Sequence, residues 1–193
     1  ENATQPIKEH IDVIKFACDY NKGRMKVIAG VGSNNTMDAL EMAQASREFG
    51  ADGILMVTPY YNKSTQRGLV AHFTYVADRV DIPMILYNVP SRTGIGITAD
   101  TCKVLSQHPN INGIKEASGD IALAARIRSL CGDDLYIWSG TDDCTIPLMS
   151  LGALGVISVA SNIVPGAVAK LCALCLEGSY AEATELYAKY ASL

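Results

Sequence analysis

Lys115 ends the apolar run "INGIKEA", and Tyr87 sits near the end of another, "PMILYNVP". A lysine amine is protonated in neutral water, but burial among apolar strand residues favours the neutral form that attacks carbonyls. Such an amine condenses with a ketone or aldehyde, and the resulting iminium serves as an electron sink. The proton transfers around a carbinolamine and a carbanion need a carrier, and a phenol at a neighbouring strand end can be one. Tyr61, at a further strand end, can extend that relay. In the loop "NVPSRTG", Arg92 lies between Pro90 and Gly94 just beyond Tyr87. A guanidinium there can hold a substrate carboxylate with two parallel hydrogen bonds. Singly, each residue has an ordinary alternative: a solvated strand terminus, a tyrosine in an amphipathic wall, a surface arginine. Together they point to imine chemistry on a carbonyl compound.

Competing chemistries have weaker support. "GVGSNN" follows an apolar run but has Asn35 where a dinucleotide loop needs its third glycine, and no strand-end acid follows at the ribose position. His10, His72 and His108 lack metal-ligand spacing, and there is neither a G-x-S-x-G elbow nor a P-loop. Cys18, Cys102, Cys131 and Cys172 fall in helix-like stretches, where cysteine packs as a small apolar residue. Cys172 and Cys175 form C-x-x-C without a second pair nearby, so packing is expected there too. Metal and dinucleotide sites therefore have little support in the residues themselves.

A net charge of −4 without a basic run argues against nucleic acid as a partner. No apolar stretch reaches the roughly 18 residues of a membrane span. The polar opening "ENATQPIKEH" is not a signal segment, so the N-x-[ST] matches at Asn2, Asn34 and Asn62 carry little weight. A reducing cytoplasm is expected.

The elements that must position these residues are legible as an alternation. Six short runs rich in Val, Ile, Leu and Met read as strands covered on both faces: "KVIAGVG", "GILMVTP", "PMILYNVP", "INGIKEA", "LYIWSG" and "GVISVAS". Helical patterns lie between them. Ala39, Met42, Ala43, Ser46 and Phe49 form one stripe, and Gly50 stops it. Thr98 caps a helix expected to run to His108-Pro109. Pro165 opens another that Gly178 ends, and Ser179 with Glu182 makes a capping box for the last. Successive strands start roughly 20 to 30 residues apart, the length of a βα unit. The fold class is therefore α/β with a parallel sheet, read as one domain over residues 1–193. An open doubly wound sheet and part of a (β/α)8 barrel, with two strands missing before the helical start at Pro6, both remain open. A barrel gathers the polar strand ends at one mouth, whereas an open sheet spreads them along an edge.

The motifs "TPYYNK", "LYNVPSRTG", "GIKEASGD", "SGTDD" and "GVISVASN", in this order and spacing, closely resemble the dihydrodipicolinate synthase family. The resemblance covers essentially the whole chain and implies a (β/α)8 TIM barrel, of which about six units are present. Related N-acetylneuraminate lyases and keto-acid aldolases share the barrel, the lysine and the tyrosine. The arginine of "NVPSRTG" points to the synthases. The implied activity condenses pyruvate with L-aspartate 4-semialdehyde, releasing water, at the entry to diaminopimelate and lysine biosynthesis, without a cofactor. By the same resemblance, Lys115 forms the Schiff base with pyruvate and Tyr87 donates and accepts protons. Tyr61 reaches into a neighbouring subunit, Arg92 binds the semialdehyde carboxylate, and Gly140 and Ile157 line the pyruvate pocket, Ile157 through its backbone. A homotetramer, a dimer of dimers, is implied.

The resemblance also marks departures. Glu1 matches the end of a family Gly-Thr-Thr-Gly-Glu stretch, so its two threonines, the first two strands and the terminal helices after Leu193 are not in this sequence. The expectation is a fragment, inactive by itself, because closure is what removes sheet edges. Some family members bind lysine as an inhibitor at a dimer cleft. Asn34, Asp38, Tyr60 and His10 match or approximate it, while Ile7 replaces a polar residue of the sensitive enzymes.

Overall fold

Five of the six runs become strands: β1 (Ile28–Gly30), β2 (Gly53–Val57), β3 (Met84–Asn88), β4 (Ile111–Glu116) and β5 (Tyr136–Ser139). In the computed structural model, which describes residues 2–192, they form one parallel sheet ordered β1-β2-β3-β4-β5. Strand order follows chain order without reversal. A doubly wound sheet needs a reversal at its switch point, so this order selects the arc of a barrel over the open sheet. The returning helices are α1 (Ile7–Asn21), α2 (Thr36–Glu48), α3 (Gln66–Ala77), α4 (Pro90–Thr93), α5 (Ala99–Leu105), α6 (Ile121–Cys131), α7 (Thr145–Ser150), α8 (Pro165–Leu176) and α9 (Tyr180–Ala188).

Local chemistry sets the helix ends. Asn35, Thr65, Thr98 and Asp120 each accept a hydrogen bond from a backbone amide in the first turn of α2, α3, α5 and α6. Each cap contributes about 1 kcal/mol. Ala39, Met42, Ala43 and Ser46 are buried as one stripe of α2, and Gly50 turns the chain at φ +78°. Pro165 opens α8, as its fixed φ favours.

Three expectations about individual elements need correction. The run "GVISVAS" is no full strand: it forms an isolated parallel bridge, Ser139 to Val156, and the chain then enters a 3-10 turn at Ala160–Asn162. The Asp142 carboxylate accepts from the Val159 and Ala160 amides and draws the chain out of the ladder. Helix α5 stops at Leu105, short of His108-Pro109, where His108 turns to accept from Asn110 N and meet Asp78. Ser179 makes no side-chain cap on α9. Its ψ of 56° is not the extended backbone a capping hydroxyl needs, because its amide is held by Leu174 O in the tight turn from α8.

The sheet's two faces differ. Against the helices, Ile54, Met56, Met84, Leu86 and Ile114 have no exposed surface. On the opposite, concave face, Leu55, Val57, Tyr87, Lys115 and Trp138 are half-buried. Coverage on both faces was expected; among the described residues only the helix side is sealed. All six cysteines are free thiols, three of them buried, in keeping with packing roles. Burial raises the thiols of Cys102, Cys131 and Cys175, which keeps them unreactive. No helix of the described residues is long and apolar enough to cross a membrane.

His72 of α3 is a titratable group within this core. It is 6% exposed, and Nδ1 lies 2.8 Å from the Thr36 hydroxyl. Nε2 has no hydrogen-bond partner among the described residues. Burial lowers its pKa from 6.5 to about 4. The unfolded chain therefore takes up the proton first as pH falls, and stability present above pH 6.5 is lost towards pH 4. The full shift corresponds to about 3 kcal/mol. His72→Gln should flatten this loss. Denaturant midpoints at pH 7 and 4.5 test it, and an equal drop in both proteins would refute it.

Candidate active site

The strand register brings together what the sequence left far apart. Val57 is opposite Tyr87, Tyr87 opposite Lys115, and Lys115 opposite Trp138. Because side chains alternate along each strand, the four form one layer on the concave face near the strands' C-terminal ends. Lys115 Nζ sits over the Tyr87 ring, 4.2 Å from its centroid. A ring face favours the ammonium by about 0.5–2 kcal/mol, but burial acts the other way. The Lys115 pKa is lowered, with burial the largest cause and the nearby Asp142 charge opposing it.

Trp138 was not anticipated as part of the site. A Cβ on Gly113 would come within 2.4 Å of the indole, so Gly113 is what lets the ring lie against the sheet below Lys115. Trp138 is the one tryptophan in the sequence, in "LYIWSG", and its position on a strand was the available signal. It supplies an apolar wall that withholds water from the amine.

The strand ends beyond this layer are shaped by backbone contacts. Gly140 N donates to Glu116 O at 2.7 Å. A Cβ there would lie 2.4 Å from the Ala117 Cβ, so the position admits only glycine without a shift. Ile157 N donates to Ser139 O at 2.9 Å. Gly140 thus meets the end of the Lys115 strand and Ile157 the end of β5, each through its backbone. Asp142, unassigned by sequence reasoning, accepts from the Ser158 hydroxyl as well as from Val159 N and Ala160 N. It anchors the loop after Ile157 and also bears electrostatically on Lys115.

Arg92 lies on the short helix α4 directly after β3, with its side chain exposed, and Gly94 closes that turn at φ +75°. Tyr61 does not pack on the Lys115–Tyr87 pair within this chain. It is 89% exposed and holds φ +75°, a left-handed conformation uncommon for a bulky residue. The turn around it is fixed by Asn62, whose amide donates to Tyr60 O and whose side chain donates to Asn34 O.

Of the four cleft residues, Asn34 and Tyr60 are therefore linked through Asn62. Asp38 accepts from the Asn35 side chain at 2.8 Å. His10 lies apart on α1, 5% exposed, with Nε2 3.2 Å from Asn2 Nδ2. Glu1, matched to the family's glutamate, lies outside the described residues, as does Leu193.

Comparison with known proteins bears on the whole arrangement. The chain is 50% identical over 189 residues to a 4-hydroxy-tetrahydrodipicolinate synthase of Caldicellulosiruptor saccharolyticus, covering 98% of this chain and 64% of that protein. A namesake of Geobacter sulfurreducens is 49% identical over 187 residues, covering 97% and 64%. The fold superposes on the crystal structure of dihydrodipicolinate synthase from Aquifex aeolicus with a TM-score of 0.95 at 45% identity, over 98% of this chain and 65% of that one. A chloride-inhibited dihydrodipicolinate synthase from Acinetobacter baumannii, complexed with pyruvate, gives a TM-score of 0.96 at 41% identity, over 100% and 66%. The chain thus spans about 64% of the length of the curated relatives it matches. The profile of the Dihydrodipicolinate synthetase family matches residues 1–193 from end to end. With the barrel arc and the Lys115–Tyr87 layer in place, the chain belongs to the dihydrodipicolinate synthetase family.

Proposed function

We propose that this chain carries the Schiff-base centre of a 4-hydroxy-tetrahydrodipicolinate synthase, which joins pyruvate to L-aspartate 4-semialdehyde in diaminopimelate and lysine biosynthesis. The carrying observation is a half-buried amine, its pKa lowered by burial, lying over a tyrosine ring at the strands' C-terminal ends. The names of the relatives and the pyruvate complex of the Acinetobacter enzyme support the choice of substrates.

The chemistry follows from those groups. Neutral Lys115 Nζ adds to the keto carbon of pyruvate, and loss of water leaves an iminium. The iminium accepts the electron pair of a methyl C–H bond as its proton departs, giving an enamine, with Tyr87 as the proton carrier. The enamine carbon bonds to the aldehyde carbon of the second substrate, whose oxygen takes up a proton. The substrate's own amine then displaces Lys115 from the former keto carbon and closes the ring. One water is released overall, and the lysine is regenerated.

Gly140 and Ile157 border the pyruvate end of this site through their backbones. Arg92, on the loop beyond Tyr87, serves the carboxylate of the semialdehyde that arrives after the imine has formed. In the protein expressed from its complete gene, Arg92→Ala should raise the apparent KM for aspartate semialdehyde about 10- to 100-fold, the loss of one or two charge-assisted hydrogen bonds. The KM for pyruvate should barely move. Equal shifts in both would reassign Arg92 to holding its loop. Assays with pyruvate and a panel of aldehydes test the acceptor itself, and a better acceptor than the semialdehyde would make the protein a different pyruvate aldolase.

Tyr61 completes the proton relay of a neighbouring subunit in this reading, within a homotetramer built as a dimer of dimers. Its exposure and its left-handed backbone support a role outside its own chain. The free thiols support a cytoplasmic setting.

A further inference from the structure

One residue beyond the Lys115–Tyr87 layer, on the opposite face of the sheet, Asn88 and Glu116 are register partners. They are 0% and 2% exposed. A carboxylate at that depth is costly unless its oxygens are satisfied. Glu116 Oε2 accepts from Asn88 Nδ2 at 2.7 Å, and Oε1 accepts from the Ser118 amide at 2.6 Å. Asn88 Oδ1 in turn accepts from the Ile97 amide at 2.9 Å. Burial raises the Glu116 pKa, and these hydrogen bonds oppose the rise.

Both ends of this chain of bonds are backbone N–H groups, which can only donate. Between them must stand one carboxamide and one group with two accepting oxygens, so that each amide meets an acceptor and the middle bond has one donor; here Asn88 is the carboxamide and Glu116 the double acceptor. What the chain joins is equally specific. Ile97 closes the loop that begins at Val89 and carries Arg92, and Gln66 fixes the same stretch by donating to Gly96 O and accepting from Thr98 N. Ser118 begins the turn after Lys115. The Glu116 and Asn88 carbonyls also accept from Gly140 N and Ala117 N, which binds the neighbouring strand ends to the same point.

We propose that Asn88 and Glu116 are positioning residues that hold the Arg92 loop and the Lys115–Tyr87 pair in one fixed relation. The inference rests on the reading of Lys115 as the imine lysine and Arg92 as the acceptor's anchor. Neither Asn88 nor Glu116 touches substrate; each acts through the groups it places.

The test is a polarity swap in the protein expressed from its complete gene. Glu116→Gln has one accepting oxygen where two are needed, so one link becomes donor against donor. Asn88→Asp faces the Glu116 carboxylate with a second one. Each single substitution should lower kcat/KM for aspartate semialdehyde about 10- to 100-fold, the scale of an ångström's misplacement. Borohydride trapping of pyruvate on Lys115 should persist in both. The double substitution Asn88→Asp/Glu116→Gln keeps size and net charge, reverses the middle bond, and leaves both backbone amides an acceptor. It should restore kcat/KM close to the unsubstituted value, with thermal melting followed in parallel.

Unchanged kinetics in folded single variants would overturn the proposal, as would a double variant no better than the worse single one. Were the single variants unfolded, the double variant still decides, because only correct polarity brings back both folding and the KM for the semialdehyde. Failure of pyruvate trapping in the unsubstituted protein would instead bring down the imine reading, and this inference with it.

Discussion

Lys115→Arg is expected to reduce turnover by more than about 10⁴-fold, the scale on which loss of a covalent catalyst acts. Arginine keeps the positive charge and much of the stem, but its guanidinium stays protonated and does not attack a carbonyl. Borohydride added with pyruvate should give a stable adduct on Lys115 by peptide mass, and none in the variant. The reaction also needs the neutral amine, so imine formation should fall as pH is lowered. Burial, which lowers the Lys115 pKa, moves that fall to a lower pH than a solvated lysine would show. An unmodified Lys115 in protein that still turns over would end the imine reading.

The second large effect is expected at Tyr87. Tyr87→Phe keeps the ring over which the amine sits and removes the hydroxyl alone. Turnover should drop about 10²- to 10⁴-fold, the usual contribution of a positioned proton carrier. The pyruvate imine should still form and be trapped, while exchange of the pyruvate methyl protons with deuterated water slows in step with turnover. NMR follows that exchange directly. Exchange at the unsubstituted rate would show that the proton travels by another group, and Tyr87 would then be a packing surface for Lys115.

The separation between sequence and tertiary structure runs along physical lines. Local periodicity and caps were legible because they depend on residues within one or two turns: the α2 stripe, Thr98 as the cap of α5, and Pro165 at the head of α8. The parallel sheet followed from the alternation itself. Where the local pattern failed, a distant group had intervened. Asp142 seized the amides after Val156 and shortened the sixth strand, and the Leu174 carbonyl took the Ser179 amide and left α9 without its capping box.

The same division applies to the site. Lys115, Tyr87 and Arg92 could be nominated from residue type and position at strand ends, because catalysis needs particular functional groups. Strand order and register are sums over pairings between segments distant in sequence, and no single segment encodes them. Only they decided the barrel arc over the open sheet and set Tyr87 beside Lys115 rather than elsewhere along an edge. Burial was likewise a tertiary outcome. The indole of Trp138 over Gly113, the Asp142 field and the Asn88–Glu116 pair all arise where segments meet, as does the burial that lowers the Lys115 pKa against the opposing charge of Asp142.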